Sequence, residues 1–527
     1  MERDDFDVIV VGAGATGGFA ADTLSAAGMH VLVLDAGPRS DADSPPEEAP
    51  RFEASAADRS ASVAERQAVQ RQCIAFNETT RGLFVDDLDH PYTTAADKSF
   101  AWIRVRRVGG RLLLWPGHVP RMEERDFRAA SHDGFGVDWP FGYDELRPYY
   151  DAVERLLGVT DARTGGVPLT EGASRLQSSI ARTYQERRVQ AARVARSPET
   201  GAPRAPLDAI ERALATGRTT LASESIASRV LLDSRGRAAG VVVIDARTGR
   251  EREVKGRAVV LCASTIESIR ILLNSATPKH PNGLGTPGVL GHYLMDHTAG
   301  IRMDGFVPGT KGYAEERSLV GGGIYIPRFR NIDDHHPAFL RGYGIQGVIG
   351  PVVTAAELRT RPGDFETNLA RLLTDMPPSG FSMMAFGEVL AREENAVALD
   401  PSVRDAWGIP VPQIRFEYTD NEFAMGQDMA AEMRAMVTAA GFEVKSQNTE
   451  LYPPGLSIHE LGGARMGVDP KSSVLGPFNE VWDVPNLFVT DGACFPSGGC
   501  QNPTLTMLAI TVRACESLAN RWKMHAL

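Results

Sequence analysis

Two polar residues near the end of the chain have the chemistry needed to oxidise an alcohol. His459 begins the glycine-rich stretch His459-Glu460-Leu461-Gly462-Gly463, and Asn502 lies in Gln501-Asn502-Pro503-Thr504. A neutral imidazole, with an ordinary pKa of about 6.5, can accept the proton that an alcohol loses when its carbon gives up a hydride. A carboxamide can hold the same hydroxyl in line for that transfer. The pair is therefore a candidate base and orienting amide.

Each of these residues also has a plainer interpretation. His459 could be a buried imidazole whose nitrogens bond to the backbone of a glycine-rich turn. Asn502 could cap the final helix, because Asn is a common helix cap and Pro503 suits the first helical position. Capping and catalysis are compatible, and the sequence leaves both open. Glu460 could tune the candidate base, but we prefer an ion pair between Glu460 and Arg465.

A glycine-rich loop near the start of the chain predicts a dinucleotide site. Apolar residues 7–11 run into Gly12-Ala13-Gly14-Ala15-Thr16-Gly17, whose glycines permit a tight turn, close backbone approach to a pyrophosphate and close helix packing. The N-terminus of the next helix offers unpaired N–H groups to the phosphates. Asp35 follows Gly12 by 23 residues, at a strand end where a carboxylate can bind a ribose. FAD and NAD both use this arrangement.

The elements that must position these residues alternate between strand and helix. Their patterns predict a βαβ unit, a hairpin that leads into another strand of the same sheet, and a separate middle block with its own sheet. Predicted strands cover residues 7–11, 30–35, 240–245, 258–263, 323–326, 345–353 and 486–492, with further strand character at 220–221 and 226, and predicted helices cover 17–27, 143–157, 265–274, 422–440 and 504–522.

The composition of the chain narrows its class. A net charge of −11 argues against binding to a phosphate backbone. Five cysteines with no CxxC pair are expected to be reduced thiols rather than zinc ligands, and Asp333-Asp334-His335-His336 is expected to be a solvated loop, so no metal is predicted. The acidic first residues do not resemble a secretory signal, and no apolar run has the length of a membrane span. We therefore expect a cytoplasmic protein with no membrane partner. Residues 40–96 are expected to form an insertion, a lid or an oligomer arm, with partial helix over 57–72.

These motifs, taken in order, resemble those of the GMC (glucose-methanol-choline) oxidoreductases, a family of flavoproteins, over nearly the whole chain. Beside the glycine loop and the C-terminal pair, the resemblance rests on Val108-Gly109-Gly110, Trp115-Pro116-Gly117, Asp138-Trp139-Pro140, Cys262-Ala263-Ser264-Thr265-Ile266-Glu267-Ser268 and Gly291-His292-Tyr293-Leu294-Met295-Asp296-His297. The pairing of His with Asn is similar to the pyranose oxidase-like branch of bacterial sugar and glycoside oxidases.

The resemblance implies FAD rather than NAD, and it implies the residues that hold it. These are Gly12, Gly14, Ala15, Thr16, Gly17, Asp35, Ala36, Gly109, Gly110, Val230, Ala263, Asp491, Gly492, Asn502, Pro503 and Thr504. Asp296 and His297 would be a packing element near the flavin. In fungal pyranose oxidases a His near the position of Leu114 is bonded to the flavin; since Leu has no nucleophile, noncovalent FAD is expected here.

The implied fold is a mixed α/β one, with a Rossmann-like FAD-binding domain and a substrate-binding domain built on an antiparallel sheet. The first would contain residues 1–300 and 455–527, and the second residues 301–454. The implied activity is oxidation of a secondary alcohol of a sugar or glycoside to a ketone, by base-assisted hydride transfer to flavin N5. The alternatives are oxidation of a primary alcohol on an aminoglycoside-like natural-product sugar and a noncatalytic flavoprotein. The electron acceptor, whether oxygen, a quinone or another, and a homo-oligomeric state stay open.

Overall fold

The computed structural model describes residues 5–39, 63–159, 169–195, 207–314, 323–354 and 364–526. It confirms the predicted mixed α/β class, with two seven-stranded sheets as its framework. The first part of the predicted insertion, residues 40–62, lies outside the described residues. In the remainder, residues 63–96, helix is confined to Val63–Arg66 and to 3-10 turns at Gln70–Gln72 and Arg81–Leu83.

The first sheet carries the glycine-rich loop that is predicted to bind a dinucleotide. Its strands are, in spatial order, Thr219–Ala222, Val31–Leu34, Asp5–Val11, Glu251–Leu261, Ala238–Asp245 and Ser225–Leu232, and Leu487–Val489 also pairs with Glu251–Leu261. The strands from Thr219–Ala222 to Glu251–Leu261 run parallel, and the predicted hairpin joins antiparallel.

An unbroken apolar run forms the central strand because both faces of this sheet are buried. Val8 and Val10 pack on one face with the helices Ala15–Ala26, Leu207–Ala215 and Thr504–Lys523. Ile9 and Val11 pack on the other face, in the largest core, which also includes residues of the helix Thr265–Asn274. The carboxyl end of the sheet therefore has a rigid support.

The second sheet is antiparallel throughout. Its strands are, in spatial order, Glu443–Asn448, Arg302–Val307, Ser379–Glu388, Tyr343–Gly350, Gly323–Ile326 and Gln190–Ala191, and His297–Thr298 also pairs with Ser379–Glu388. The helices Asp420–Ala439 and Glu171–Thr183 join its hydrophobic core. Met425, Met429, Met433 and Met436 form the buried stripe of the longer helix.

The two units interleave along the chain more than the expected boundaries of 1–300, 301–454 and 455–527 allow. Residues 171–191 precede the expected substrate domain, yet they supply a helix and a strand to the second core. In the other direction, the strands Ala396–Arg404 and Pro410–Arg415 pair with each other, the latter also pairs with Thr93–Thr94, and Val397 and Ile414 belong to the first core. Packing rather than sequence position decides where these segments belong.

The remaining elements are short, apart from two helices of 14 and 10 residues. They are the helices Tyr143–Leu156, Phe365–Thr374, Glu124–Phe127 and Ala129–Asp133, the 3-10 turns Arg81–Leu83, Gly110–Leu114 and Gly492–Cys494, and the paired strands Tyr313–Ala314 and Val353–Thr354. Within the described ranges, no helix combines the length and the apolar character that a membrane crossing requires.

Candidate active site

A cavity of about 790 Å³ runs from the glycine loop of the first sheet to the inner face of the second. This volume lies within the usual range for small-molecule and cofactor sites, roughly 300–1,000 Å³. Gly12, Gly14 and Asp35 line one end, and His459 and Asn502 line the other. One cavity thus joins the two regions that the sequence analysis singled out.

The glycine loop leaves space for a ligand only at Gly14. A Cβ on Gly12 would lie 2.3 Å from the Cys262 carbonyl oxygen, and one on Gly17 would lie 1.7 Å from the Gly12 oxygen. At Gly14 a Cβ would meet no atom within 4 Å, although Gly14 borders the cavity. Gly12 and Gly17 therefore allow close packing, whereas Gly14 faces the open cradle. No side chain caps the following helix, so its N-terminal N–H groups stay available to phosphates.

Asp35 is held by the backbone at the nucleotide end. Its two oxygens accept hydrogen bonds of 2.8 Å each from the N–H groups of Ala13 and Gly37. Burial outweighs these bonds and raises the pKa of Asp35 to about 6. The carboxylate keeps free lone pairs, which are the acceptors that ribose hydroxyls require.

Unpartnered donors at the same end show that the residues present fit a nucleotide. Arg104 Nε, Arg106 Nη1 and Asn274 Nδ2 are buried with no hydrogen-bond acceptor, and all three residues line the cavity. Buried donors are costly to leave unpaired, so a ligand rich in acceptors is expected beside them. The adenosine half of a dinucleotide carries such acceptors on its ring nitrogens and its ribose.

Most of the residues expected to hold FAD do line the cavity. They are Gly12, Gly14, Ala15, Thr16, Asp35, Ala36, Gly110, Ala263, Asp491, Gly492, Asn502, Pro503 and Thr504. Gly17 and Gly109 are not in contact with it. Val230 lies in the core with its N–H bonded to Ser275 Oγ, and the earlier residues 226–228 of its strand line the cavity instead.

At the other end, hydrogen bonds fix the protonation pattern of His459. The Nε2–H of His297 donates to the Gly499 carbonyl oxygen at 2.9 Å, so His297 Nδ1 carries a lone pair. His297 Nδ1 is 2.9 Å from His459 Nδ1, and one of the two nitrogens must carry the shared hydrogen. That hydrogen therefore belongs to His459 Nδ1, which leaves the lone pair of His459 on Nε2.

Asn502 faces that lone pair. Its Nδ2 lies 3.3 Å from His459 Nε2, 43 positions away in sequence, and its Oδ1 accepts a hydrogen bond of 2.8 Å from Gln346 Nε2. Gln346 lies in the strand Tyr343–Gly350 of the second sheet and was missed in the sequence analysis, since a lone Gln in a strand carries no motif. Asn502 does not cap the final helix, because its side chain is engaged here and Pro503 occupies the cap position.

His459, the candidate base, is buried. Burial is the largest cause that lowers the pKa of His459 well below its usual value, and His297 and Arg111 add to the effect. Burial also lowers the pKa of His297 to about 4. Both imidazoles are therefore uncharged at neutral pH, and His459 is ready to accept a proton.

Asp296 shapes the loop that carries His459. Its carboxylate accepts hydrogen bonds from the backbone N–H of Gly455 at 2.9 Å, from that of His459 at 3.1 Å and from the Ser457 hydroxyl. Ile458 has a φ of +63°, a strained conformation that such a network can hold. Burial, followed by the nearby Glu460, raises the pKa of Asp296 to about 7.

The expected ion pair between Glu460 and Arg465 is wrong. Glu460 Oε2 instead accepts a bond of 2.6 Å from Arg111 Nη1. Arg465 stacks 3.5 Å from the ring centroid of Tyr293 and donates to the Ser472 carbonyl. Glu460 and Arg111 both line the cavity, whereas Arg465 does not, and this difference in position explains the change of partner.

The other candidate clusters have structural surroundings. His336 stacks on Phe339 with ring centroids 4.0 Å apart. Among the described residues, no group of His, Cys, Asp and Glu is placed to hold a metal ion.

A candidate nucleotide cradle and an uncharged imidazole at opposite ends of one cavity are the arrangement expected of a cofactor-dependent oxidoreductase. Family models described as GMC oxidoreductase match residues 6–299 and residues 391–511. The chain belongs to the GMC oxidoreductase family, whose members are FAD-binding flavoproteins that act on CH–OH groups.

Several relatives share most of their length with this chain. It is 30% identical to a 2-methyl-1,2-propanediol dehydrogenase of Mycolicibacterium austroafricanum, over 98% of the chain and 96% of that protein. It is 29% identical to a C-glycoside 3-oxidase of Microbacterium trichothecenolyticum, over 78% and 75%, and 26% identical to a paromamine 6'-oxidase of Streptomyces fradiae, over 98% and 92%. Pyridoxine 4-oxidase from Mesorbium loti shares the fold, with a TM-score of 0.62, 18% identity and 99% coverage of both chains.

Proposed function

We propose that this protein oxidises a secondary alcohol of a sugar or glycoside to a ketone, with FAD as the hydride acceptor and His459 as the base. The observation that carries the proposal is the convergence of His459 Nε2 and the Asn502 carboxamide, 3.3 Å apart, at the wall of a cavity whose other end fits a nucleotide. A noncatalytic flavoprotein would not need an unprotonated, neutral imidazole nitrogen at that position.

The reaction separates a hydride from a proton, and His459 takes the proton. The substrate hydroxyl gives its O–H proton to the lone pair on His459 Nε2, and the carbon that bears this hydroxyl would give up its hydrogen as a hydride to bound FAD. The electron pair of the former O–H bond forms the carbonyl double bond. Bound FAD supplies the hydride acceptor, and the chain supplies the base, the orientation of the alcohol and the exclusion of water.

Asn502 positions the hydroxyl. Gln346 holds the Oδ1 of Asn502, so the Nδ2–H groups point toward His459 and any hydroxyl bound there. A hydroxyl that enters displaces the Asn502 amide from His459 Nε2 and accepts a bond from it instead. The carboxamide then fixes the oxygen and leaves the C–H bond to face the cofactor.

The walls next to the base suit a pyranose ring. Phe386 and Met384 line the cavity on the inner face of the second sheet, and the Phe386 ring centroid lies 5.8 Å from that of His459. Apolar side chains can cover the C–H face of a sugar, while the amides of Gln346 and Asn502 meet its hydroxyl edge. The similarity to C-glycoside 3-oxidases supports the same substrate class.

An aminoglycoside-like substrate is the second candidate, favoured by the similarity to paromamine 6'-oxidase. The carboxylates among the described lining residues are Asp35, Glu267, Asp491 and Glu460. Asp35 and Asp491 are bonded within the nucleotide-binding framework, and Glu267 and Glu460 pair with Arg270 and Arg111. Among the described residues of the cavity wall, no unpaired carboxylate lies beside His459 to bind an ammonium group. We therefore rank the neutral sugar first.

We further propose that the first sheet forms the FAD-binding part, that the second forms the substrate-binding part, and that FAD is held noncovalently. Leu114 lines the cavity and carries no nucleophile. Acid precipitation of the holoprotein should leave the yellow colour in the supernatant; colour that stays with the pellet would refute noncovalent attachment. A reducing, cytoplasmic location is also proposed, because all five cysteines are free.

Anaerobic mixing of the holoprotein with a panel of pyranosides, C- and O-glycosides, aminoglycosides and aliphatic diols tests the function. We expect pyranosides to bleach the flavin fastest, with a ketosugar as product. Faster bleaching by a diol or an aminoglycoside would show that this compound class, and not neutral sugars, is the substrate. No bleaching by any alcohol would favour the noncatalytic alternative.

A further inference from the structure

We propose that His297 is a positioning residue that sets the tautomer of the base, by accepting the Nδ1–H of His459 through an uncharged imidazole. The proposal rests on the function proposed above, in which His459 Nε2 accepts a proton from the substrate. The sequence resemblance implies only a packing role for His297 near the flavin, so control of the His459 tautomer is an additional role.

The hydrogen bonds that link Gly499, His297 and His459 allow only one placement of the ring hydrogens. Gly499 contributes a carbonyl oxygen, which can only accept, so the facing Nε2 of His297 must donate. A neutral imidazole has one N–H, so His297 Nδ1 is an acceptor. Its partner at 2.9 Å, His459 Nδ1, must then be the donor. The lone pair of His459 is thereby placed on Nε2, the nitrogen that faces Asn502.

The charges around His297 are consistent with a neutral acceptor. His297 is fully buried, and the nearby Asp296 carboxylate is occupied by Gly455, Ser457 and the backbone of His459. In a His–carboxylate pair the acid both orients the imidazole and stabilises its protonated form. An imidazole acceptor orients the ring with no negative charge, so His459 keeps the depressed pKa that burial gives it.

The backbone anchors His297 to both parts of the site. It lies in the strand His297–Thr298, which pairs with Gly387 and Glu388 of the second sheet. Its Nε2 holds Gly499, three residues before Asn502. Both ring nitrogens of His297 are engaged, Nε2 with the Gly499 carbonyl and Nδ1 with His459, so the orientation of the imidazole is fixed. His297 thus connects the substrate-facing sheet, the base and the segment that carries the orienting amide.

Two substitutions separate tautomer control from packing. In His297→Asn, the Oδ1 atom can take the place of Nδ1 as an acceptor, whereas His297→Leu fills similar volume with no acceptor. We expect the leucine variant to keep its FAD and its substrate affinity but to reduce the flavin about 10- to 100-fold more slowly, because His459 loses its preferred tautomer. The asparagine variant should recover most of the rate. His118→Leu is the matched control, since His118 is also an imidazole whose pKa burial lowers to about 4, but it does not line the cavity.

The limiting rate of anaerobic flavin reduction and the ring ¹⁵N spectrum of His459 in the substrate-free holoenzyme are the two readouts. The His459 signals are identified by their absence from His459→Ala. We expect a protonated Nδ1 and an unprotonated Nε2 in the wild type, and a mixture of tautomers in His297→Leu. A protonated Nε2 in the wild type, or wild-type reduction by His297→Leu, would overturn the proposal. The spectrum is independent of turnover, so failure of the base assignment would show separately, as full activity in His459→Ala.

Discussion

The two ends of the cavity are built in different ways. At the nucleotide end, the main contributions come from backbone: the glycine loop, the open helix N-terminus and the carboxylate of Asp35, which backbone N–H groups hold. At the base end, side chains from distant segments meet, namely His297, Gln346, His459 and Asn502. Backbone geometry makes a site tolerant of most side-chain changes except those that fill space, whereas side-chain convergence makes it sensitive to each polar group.

Filling the cradle at Gly14 should have the largest effect. Gly14 has a φ of −79°, which leucine adopts without strain, and a Cβ there meets no protein atom, so Gly14→Leu should fold and place its side chain where FAD binds. We expect isolated protein with no flavin and at least a roughly 100-fold weaker FAD affinity on reconstitution, the equivalent of about 2.7 kcal/mol.

Gly18→Ala is the matched control for that experiment. It lies in the same helix, and its Cβ would make ordinary contacts of 3.5 Å with Ala209 and Ile210, away from the cavity. Normal FAD content in Gly14→Leu, or equal losses in both variants, would contradict a backbone-built cradle.

Removing the amide at the other end should act on the rate instead of on cofactor binding. In Asn502→Leu the volume is retained but the hydroxyl loses its donor, so we expect flavin reduction to slow about 10- to 100-fold with little change in FAD content, the loss of about one oriented hydrogen bond. Stopped-flow absorbance and the flavin-to-protein ratio give both numbers. Loss of FAD with an unchanged rate in the remaining holoprotein would contradict the division between the two ends.

Sequence could predict the nucleotide end because its determinants are local. The apolar run, the glycines and Asp35 lie within a single βαβ unit, and both faces of the strand are buried as the run of β-branched residues indicates. The helix Thr265–Asn274 and the strand Gly323–Ile326 were predicted with the observed bounds for the same reason.

The base end required tertiary information. His459 and Asn502 were found because glycines and a Pro mark their segments, but Gln346 and Arg111 come from 156 and 349 positions away from their partners. Glu460 was paired with the near Arg465, since sequence shows proximity along the chain and not the direction in which a side chain points.

A double-mutant cycle measures which arginine is the partner of Glu460. The side chain of Glu460 is fully buried and that of Arg111 is 30% exposed, so Glu460→Gln and Arg111→Met should show a coupling of about 1–3 kcal/mol in the free energy of unfolding of the holoprotein. The cycle with Arg465→Met should give less than about 0.5 kcal/mol. Equal couplings in urea titrations would refute the assigned pair.

The pH dependence of flavin reduction should show the smallest effect. Burial lowers the pKa of His459, so the imidazole is already the unprotonated base at pH 6.5, and the limiting rate should stay flat from there upward and fall only in more acidic solution. Asp296, with a pKa of about 7, faces the same loop. Asp296→Asn therefore serves as the control that removes its titration. An acid limb at or above pH 6.5 that persists in Asp296→Asn would contradict the buried neutral base.

The reductive half-reaction of His459→Ala, followed by flavin absorbance without oxygen, is the most direct test of the central claim that this imidazole accepts the alcohol proton. We predict folded, yellow protein whose flavin is reduced by substrate about 10²- to 10⁴-fold more slowly than in the wild type. Reduction at the wild-type rate would remove His459 from the chemistry and, with it, the proposed mechanism.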